Sequence, residues 1–249
     1  MFCTVDRARI YINKHISVIL LIIIIIMALY WTNTKIRYIS IGLGIIIFLA
    51  HWIAYNYANL YSDKNYNNGG WGGESQYLSH QFREDPGLAN GLYNFFKHHP
   101  NDSILDLGCG NGSYIQYLAS KGIKNVKCID TYESSLRNPK FIQQGDLSKQ
   151  IDYSVDWIMS FEVGEHIPKQ YERIFIENIT KNARKGIIMS WAEVGHGGDG
   201  HVNELDIDEV IKKITEYGFE LDTKMTNSLR MESNKKCYFK RNLLVFRRL

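Results

Sequence analysis

Cysteine is scarce and scattered in this chain: Cys3, Cys109, Cys128 and Cys237 form no CxxC pair and have no histidine at metal-ligand spacing. This argues against a disulfide framework of the kind that staples small secreted domains, and against a zinc site. Reduced thiols in a cytosol-facing compartment are the expectation. Acidic side chains are nearly missing from the first 60 residues, where Asp6 stands alone against Arg7, Arg9, Lys14, Lys35 and Arg37. The rest of the chain is close to balance, so the net charge of +3 gives a folded domain no electrostatic footprint for nucleic acid. Internal repeats are absent, and low complexity is confined to one isoleucine run.

What the N-terminal part does have is apolar length. Residues 16–31 read ISVILLIIIIIMALYW and residues 39–55 read ISIGLGIIIFLAHWIAY. Each falls a little short of the roughly 20 residues that cross a bilayer core, and flanking residues extend both. Tyr30, Trp31 and Tyr38 gather at the short connection, while Tyr11, Trp52, Tyr55 and Tyr57 mark the other interface. The reading is a two-helix transmembrane hairpin within residues 1–60. The basic residues before the first run outnumber those between the runs by one, which places the N-terminus and the following domain on the cytoplasmic side.

Residues 56–73 lack a helical or alternating period and are rich in Asn, Gly and Tyr, and residues 61–85 are read as a linker or lid. From residue 86 to 249 helical and strand patterns alternate, which predicts an α/β domain with a doubly wound, mostly parallel sheet. The predicted elements are helices at 87–98, 113–121, 169–185 and 205–218 and strands at 103–107, 125–130, 140–144, 155–161 and 186–192. Two β-rich runs follow, 219–231 and 237–248, too close for a parallel crossover. They are expected to form an antiparallel hairpin.

The stretch ILDLGCGNGSY follows a strand pattern and opens a helix, with Gly108, Gly110 and Gly112 at alternate positions. Missing Cβ atoms let the chain turn sharply and let a ligand lie against the backbone. A dinucleotide fingerprint needs GxGxxG, which this loop does not complete. Asp106, two residues before the first glycine, would repel a pyrophosphate and attract a cation.

The segment DLGCGNG closely resembles the first motif of class I S-adenosylmethionine-dependent methyltransferases. The resemblance covers residues 87–248 and implies a seven-stranded sheet with the last strand inserted antiparallel between the fifth and sixth. It implies S-adenosyl-L-methionine as cofactor, held by Asp106, Gly108, Gly110 and Gly112. Asp130 would then face the ribose hydroxyls, Asp146 the adenine amino group with the Leu147 amide near the ring, and Glu162 the methionine part. No metal is expected; His196, Asp199 and His201 are the nearest approach to a ligand set.

Methyl transfer from a sulfonium mainly requires the acceptor to be held in line, with a base where it must lose a proton. His166 and Glu165 in EVGEHIP, and His201 in GHGGDGHVN, are the candidates for catalysis. The sequence lacks the Asn/Asp-Pro-Pro-aromatic and Pro-Cys motifs of DNA-methylating enzymes, leaving small molecules, lipids, sugars and proteins as acceptors. The expected partners are an acceptor and a lipid bilayer, and eight basic residues from Lys224 onward offer a face for anionic headgroups. The alternative is a membrane-tethered binding module that keeps the fold without the chemistry.

Overall fold

The computed structural model describes residues 85–131, 140–198, 200–234 and 238–249, together with 68–70 and the helical positions Gly42, Ile45, Ile46 and Leu49. The chain divides into two units, Met1–Asp63 and Lys64–Leu249. Apart from those four helical positions, the two apolar runs lie outside the described residues. Among the described residues no helix is long and apolar enough to cross a membrane.

Helix α1 (Pro86–Phe96) opens the second unit. Strand β1 (Ile104–Leu107), helix α2 (Ser113–Ser120), strands β2 (Val126–Asp130), β3 (Ile142–Gln144) and β4 (Val155–Ser160), helix α3 (Glu172–Asn182) and strand β5 (Ala183–Ser190) follow. Helix α4 (Ile207–Thr215), strand β6 (Phe219–Leu221), helices α5 (Thr223–Glu232) and α6 (Phe239–Asn242) and strand β7 (Leu243–Arg248) complete it. The sheet order is β3-β2-β1-β4-β5-β7-β6, with β5, β7 and β6 joined antiparallel and the other pairs parallel.

Alternation along the strands divides the apolar side chains between the two faces. Leu105, Ile158, Ile187 and Phe246 pack with Phe175 of α3 and Val210 of α4. Ile104, Trp157, Ile188 and Val245 pack with Phe96 of α1, Leu118 of α2 and Leu229 of α5. Coverage on both faces explains why β1 is buried at every position. Trp157 is wholly buried; its indole N–H donates to Asp102 Oδ2 at 2.9 Å, and the Arg247 guanidinium lies 4.8 Å from its ring centroid.

Three expectations need correction. The run 219–231 is a strand for only three residues and then becomes α5. Asp222 caps that helix, accepting from Met225 N–H at 2.8 Å, and Thr226 and Leu229 turn to the core at helical spacing. The antiparallel partners β6 and β7 are therefore joined through α5 and α6, not by a tight hairpin. Second, α3 ends at Asn182 and residues 183–185 already belong to β5, where Ala183 pairs with Val155.

The third concerns thiols. Cys109 and Cys128 form a disulfide, with Cα atoms 5.9 Å apart, because parallel pairing sets the end of β1 beside β2. A separation of 19 residues in sequence hides that adjacency. The C-terminal basic residues are also less of a face than their number suggests. Arg230 Nε donates to Leu243 O, Arg248 donates to the carbonyls of Ala183 and Thr180, and Arg241 pairs with Glu193.

Candidate active site

The glycine loop leaves β1 at its carboxyl end, the edge where open α/β sheets bind ligands. Gly108, Gly110 and Gly112 have φ of 79°, 57° and 74°, a region that side chains strain to enter. Gly108 N–H donates to Ile129 O at 2.8 Å, and Gly112 N–H to Cys109 O at 2.9 Å. Gly110 N–H is held by Asp130 Oδ2 at 2.7 Å. A Cβ on Gly108 would also overlap Val163, so the loop after β4 rests directly on the first turn.

Asp106 is fully buried beneath this loop, and its Oδ1 has no hydrogen-bond partner among the described residues. Burial first, and then the Asp130 carboxylate, push its pKa up to about 8. A cation placed close by is what would hold Asp106 ionised at neutral pH. Asp146 is turned to local work: Oδ1 accepts from Ser148 N–H at 3.0 Å and from its hydroxyl at 2.6 Å. Burial opposes its charge, but the Ser148 and Asn68 hydrogen bonds outweigh burial and lower its pKa. Leu147 is buried in the core, and its carbonyl accepts from Asn178 Nδ2.

Glu162 follows β4 with φ of 55°, a conformation costing a non-glycine residue about 1–3 kcal/mol and common at functional sites. Ser190 at the end of β5 fixes it twice, its Oγ accepting from Glu162 N–H at 2.9 Å and donating to Oε1 at 2.8 Å. Asn242 Nδ2 donates to the same carboxylate oxygen at 2.8 Å. Gly164 then passes against the Trp191 ring, where no side chain would fit.

The loops after β4 and β5 are tied together at Glu165. Its carbonyl accepts from Val202 N–H at 2.8 Å and from Asn203 N–H at 3.0 Å. His166 Nδ1 lies 3.1 Å from Gly200 O, and the His166 and His201 rings meet edge to face with centroids 4.9 Å apart. Burial first, then the nearby His201, push His166 down to about 4, so it is neutral at pH 7. Burial, then the Glu162 carboxylate, push Glu165 well above the usual range, while the amides of Glu165 and Ala192 act in the other direction.

Sequence reasoning missed Glu204, which organises the second loop. Its oxygens accept from Gly195 N–H, from Gly197 N–H and from His201 Nδ1, the last at 2.8 Å. A carboxylate three residues after His201 was the available signal. The His196 ring packs 5.9 Å from that of Tyr238 and feels the charges of His201 and Glu204, and Asp199 lies outside the described residues. Segment 68–70 reaches the site too, since a Cβ on Gly69 would overlap the backbone of His166.

Residues 105–188, from β1 into β5, match the family model described as a methyltransferase domain. Over this stretch the chain is similar to methyltransferase domains. No curated protein matches the chain. Among solved structures it is similar to a magnesium protoporphyrin IX methyltransferase from Synechocystis with bound S-adenosylmethionine, at 18% identity and a TM-score of 0.49, over 65% of this chain and 78% of that one. It is also similar to an amino pentose methyltransferase from Micromonospora echinaspora, at 13% identity and a TM-score of 0.48, over 65% and 90%. An O-methyltransferase of a polyketide synthase from Brevibacillus brevis gives 16% identity and 0.47, over 65% and 71%.

The residues present fit S-adenosylmethionine. A buried carboxylate with an oxygen lacking a partner among the described residues, and three left-handed glycines, are features that would receive a compact cation and the adenosine attached to it.

Proposed function

We propose that the chain transfers a methyl group from S-adenosylmethionine to an acceptor held over the carboxyl edge of the sheet by the loops after β4 and β5. The observation that carries this reading is Asp106, buried under a glycine loop that Asp130 clamps. The cofactor supplies an electrophilic methyl on a cationic sulfur. Asp106 and Glu162 would balance its charges, Asp130 would reach the ribose, and Asp146 and Leu147 would flank the adenine. Glu165, His166 and His201 form the acceptor side, where a proton leaving a hydroxyl or ammonium group would be taken up.

The apolar runs 16–31 and 39–55 support a membrane tether, and hence an amphiphilic or membrane-bound acceptor; the basic residues of the first 60 favour the cytoplasmic side for the domain, and the Cys109–Cys128 disulfide favours an oxidising compartment. The test is release of S-adenosylhomocysteine by the full chain supplied with lipid and metabolite extracts, read with the mass gain of one methyl group in the extract. No release from any extract by a chain that binds the cofactor would leave only the binding-module reading. Extraction of the full chain from membranes by alkaline carbonate would refute the tether.

A further inference from the structure

The acceptor-side cluster has a composition that proton transfer alone does not need. Glu165 is buried completely; the amides of Glu165 and Ala192 lie near its carboxylate, but among the described residues neither oxygen has a partner in hydrogen-bonding geometry. Such a group costs several kcal/mol to bury as an anion unless it is paired or coordinates a metal. One ligand atom from each of Glu165, His166 and His201 lies within 4.8 Å of the others.

The imidazoles are set up for ligation in the same way. Gly200 O can only accept, so His166 carries its proton on Nδ1 when neutral. The Glu204 carboxylate imposes the same tautomer on His201. Both rings then hold their lone pair on Nε2, the arrangement in which a carboxylate or carbonyl orients a metal-binding histidine from behind. The backbone of Gly198 lies against His201 Nε2, where a Cβ would overlap the ring.

We infer that Glu165, His166 and His201 form a binding site for one divalent first-row transition-metal ion. Two imidazoles and one carboxylate suit zinc, cobalt, manganese or iron better than magnesium or calcium, which favour all-oxygen shells. Tetrahedral zinc ligands about 2.0–2.1 Å from the metal sit about 3.4 Å from each other. The three atoms must therefore draw in by up to about 1.4 Å. Three protein ligands leave a coordination position for water or for an oxygen of an acceptor, whose pKa the metal would lower.

The site is tested with metal alone, so the result does not depend on the methyl-transfer reading. The full chain, stripped by chelator and dialysed, is titrated with Co²⁺ and followed by visible ligand-field absorption, with Zn²⁺ competition by calorimetry. One equivalent is expected to bind, with visible bands that Zn²⁺ abolishes. Glu165→Gln and His201→Asn should each weaken binding at least tenfold while leaving S-adenosylmethionine affinity within about twofold. His201→Asn, at a half-buried loop position, keeps the test open if Glu165→Gln fails to fold. Absence of saturable Co²⁺ binding, or equal binding by the folded variants, overturns the site.

Discussion

The carboxylate of Asp130, at the tip of β2, accepts the backbone N–H of Gly110 at 2.7 Å. One side chain thus fixes the central turn of the glycine loop from the neighbouring strand. Asp130→Ala removes this charge-assisted bond, worth about 1.5–3 kcal/mol. S-adenosylmethionine affinity should fall at least tenfold by calorimetry, and Asp130→Asn should restore part of it. Unchanged binding by Asp130→Ala would show that the loop does not depend on β2.

Asp106 predicts proton release on cofactor binding. With its pKa raised to about 8, the carboxyl is about nine-tenths protonated at pH 7, and a bound cation draws it into the ionised state. Calorimetry in buffers of different ionisation enthalpy should find about 0.9 proton released at pH 7. Affinity should rise with pH up to about 8 and then level. Asp106→Asn should abolish the release and weaken binding at least tenfold.

The same residue affects the stability of the cofactor-free protein, with a definite sign. Its folded pKa lies above the ordinary value of 3.8, so the folded state holds more protons between about pH 4 and 8. The contribution is full below about pH 4 and is lost as pH rises through 8. Thermal denaturation across that range should show a flatter decline for Asp106→Asn than for the unmodified chain.

The Cys109–Cys128 disulfide joins the glycine loop to β2. Closing a loop of this size stabilises a fold by about 3 kcal/mol in the chain-entropy model. Mass spectrometry after alkylation without reductant should find both residues blocked, and Cys109→Ser should lower the melting temperature. Alkylation of both thiols in the folded, unreduced protein would refute the link.

Asp85 ties the two ends of the domain together and should be among its most sensitive polar positions. It caps α1 through Leu88 N–H at 2.9 Å and accepts from the Ser233 hydroxyl at 2.9 Å, all of it buried. Asp85→Ala leaves several donors unsatisfied and should cost about 2–4 kcal/mol in urea denaturation. Asp85→Asn should recover part of that loss.

Some of this was written in the order of residues. Asp106 and three glycines behind an apolar run mark where a strand ends and a ligand can approach, because those constraints are local. Helix α1 is legible as a helical period from residue 87, and in the structure Asp85 caps it ahead of Pro86, whose missing N–H costs nothing there. Alternating helix and strand periods determine a two-faced sheet, and so the edge on which every candidate residue had to lie.

Tertiary structure decided what distance along the chain conceals. Cys109 meets Cys128, and Glu204 sets the tautomer of His201, only because the sheet and its loops bring them together. The run 219–231 carries residues suited to a strand, yet Asp222 and core contacts at helical spacing make most of it α5. Glu165 looked like a base beside a histidine; burial without a hydrogen-bond partner is a property of its surroundings, and no sequence pattern records it.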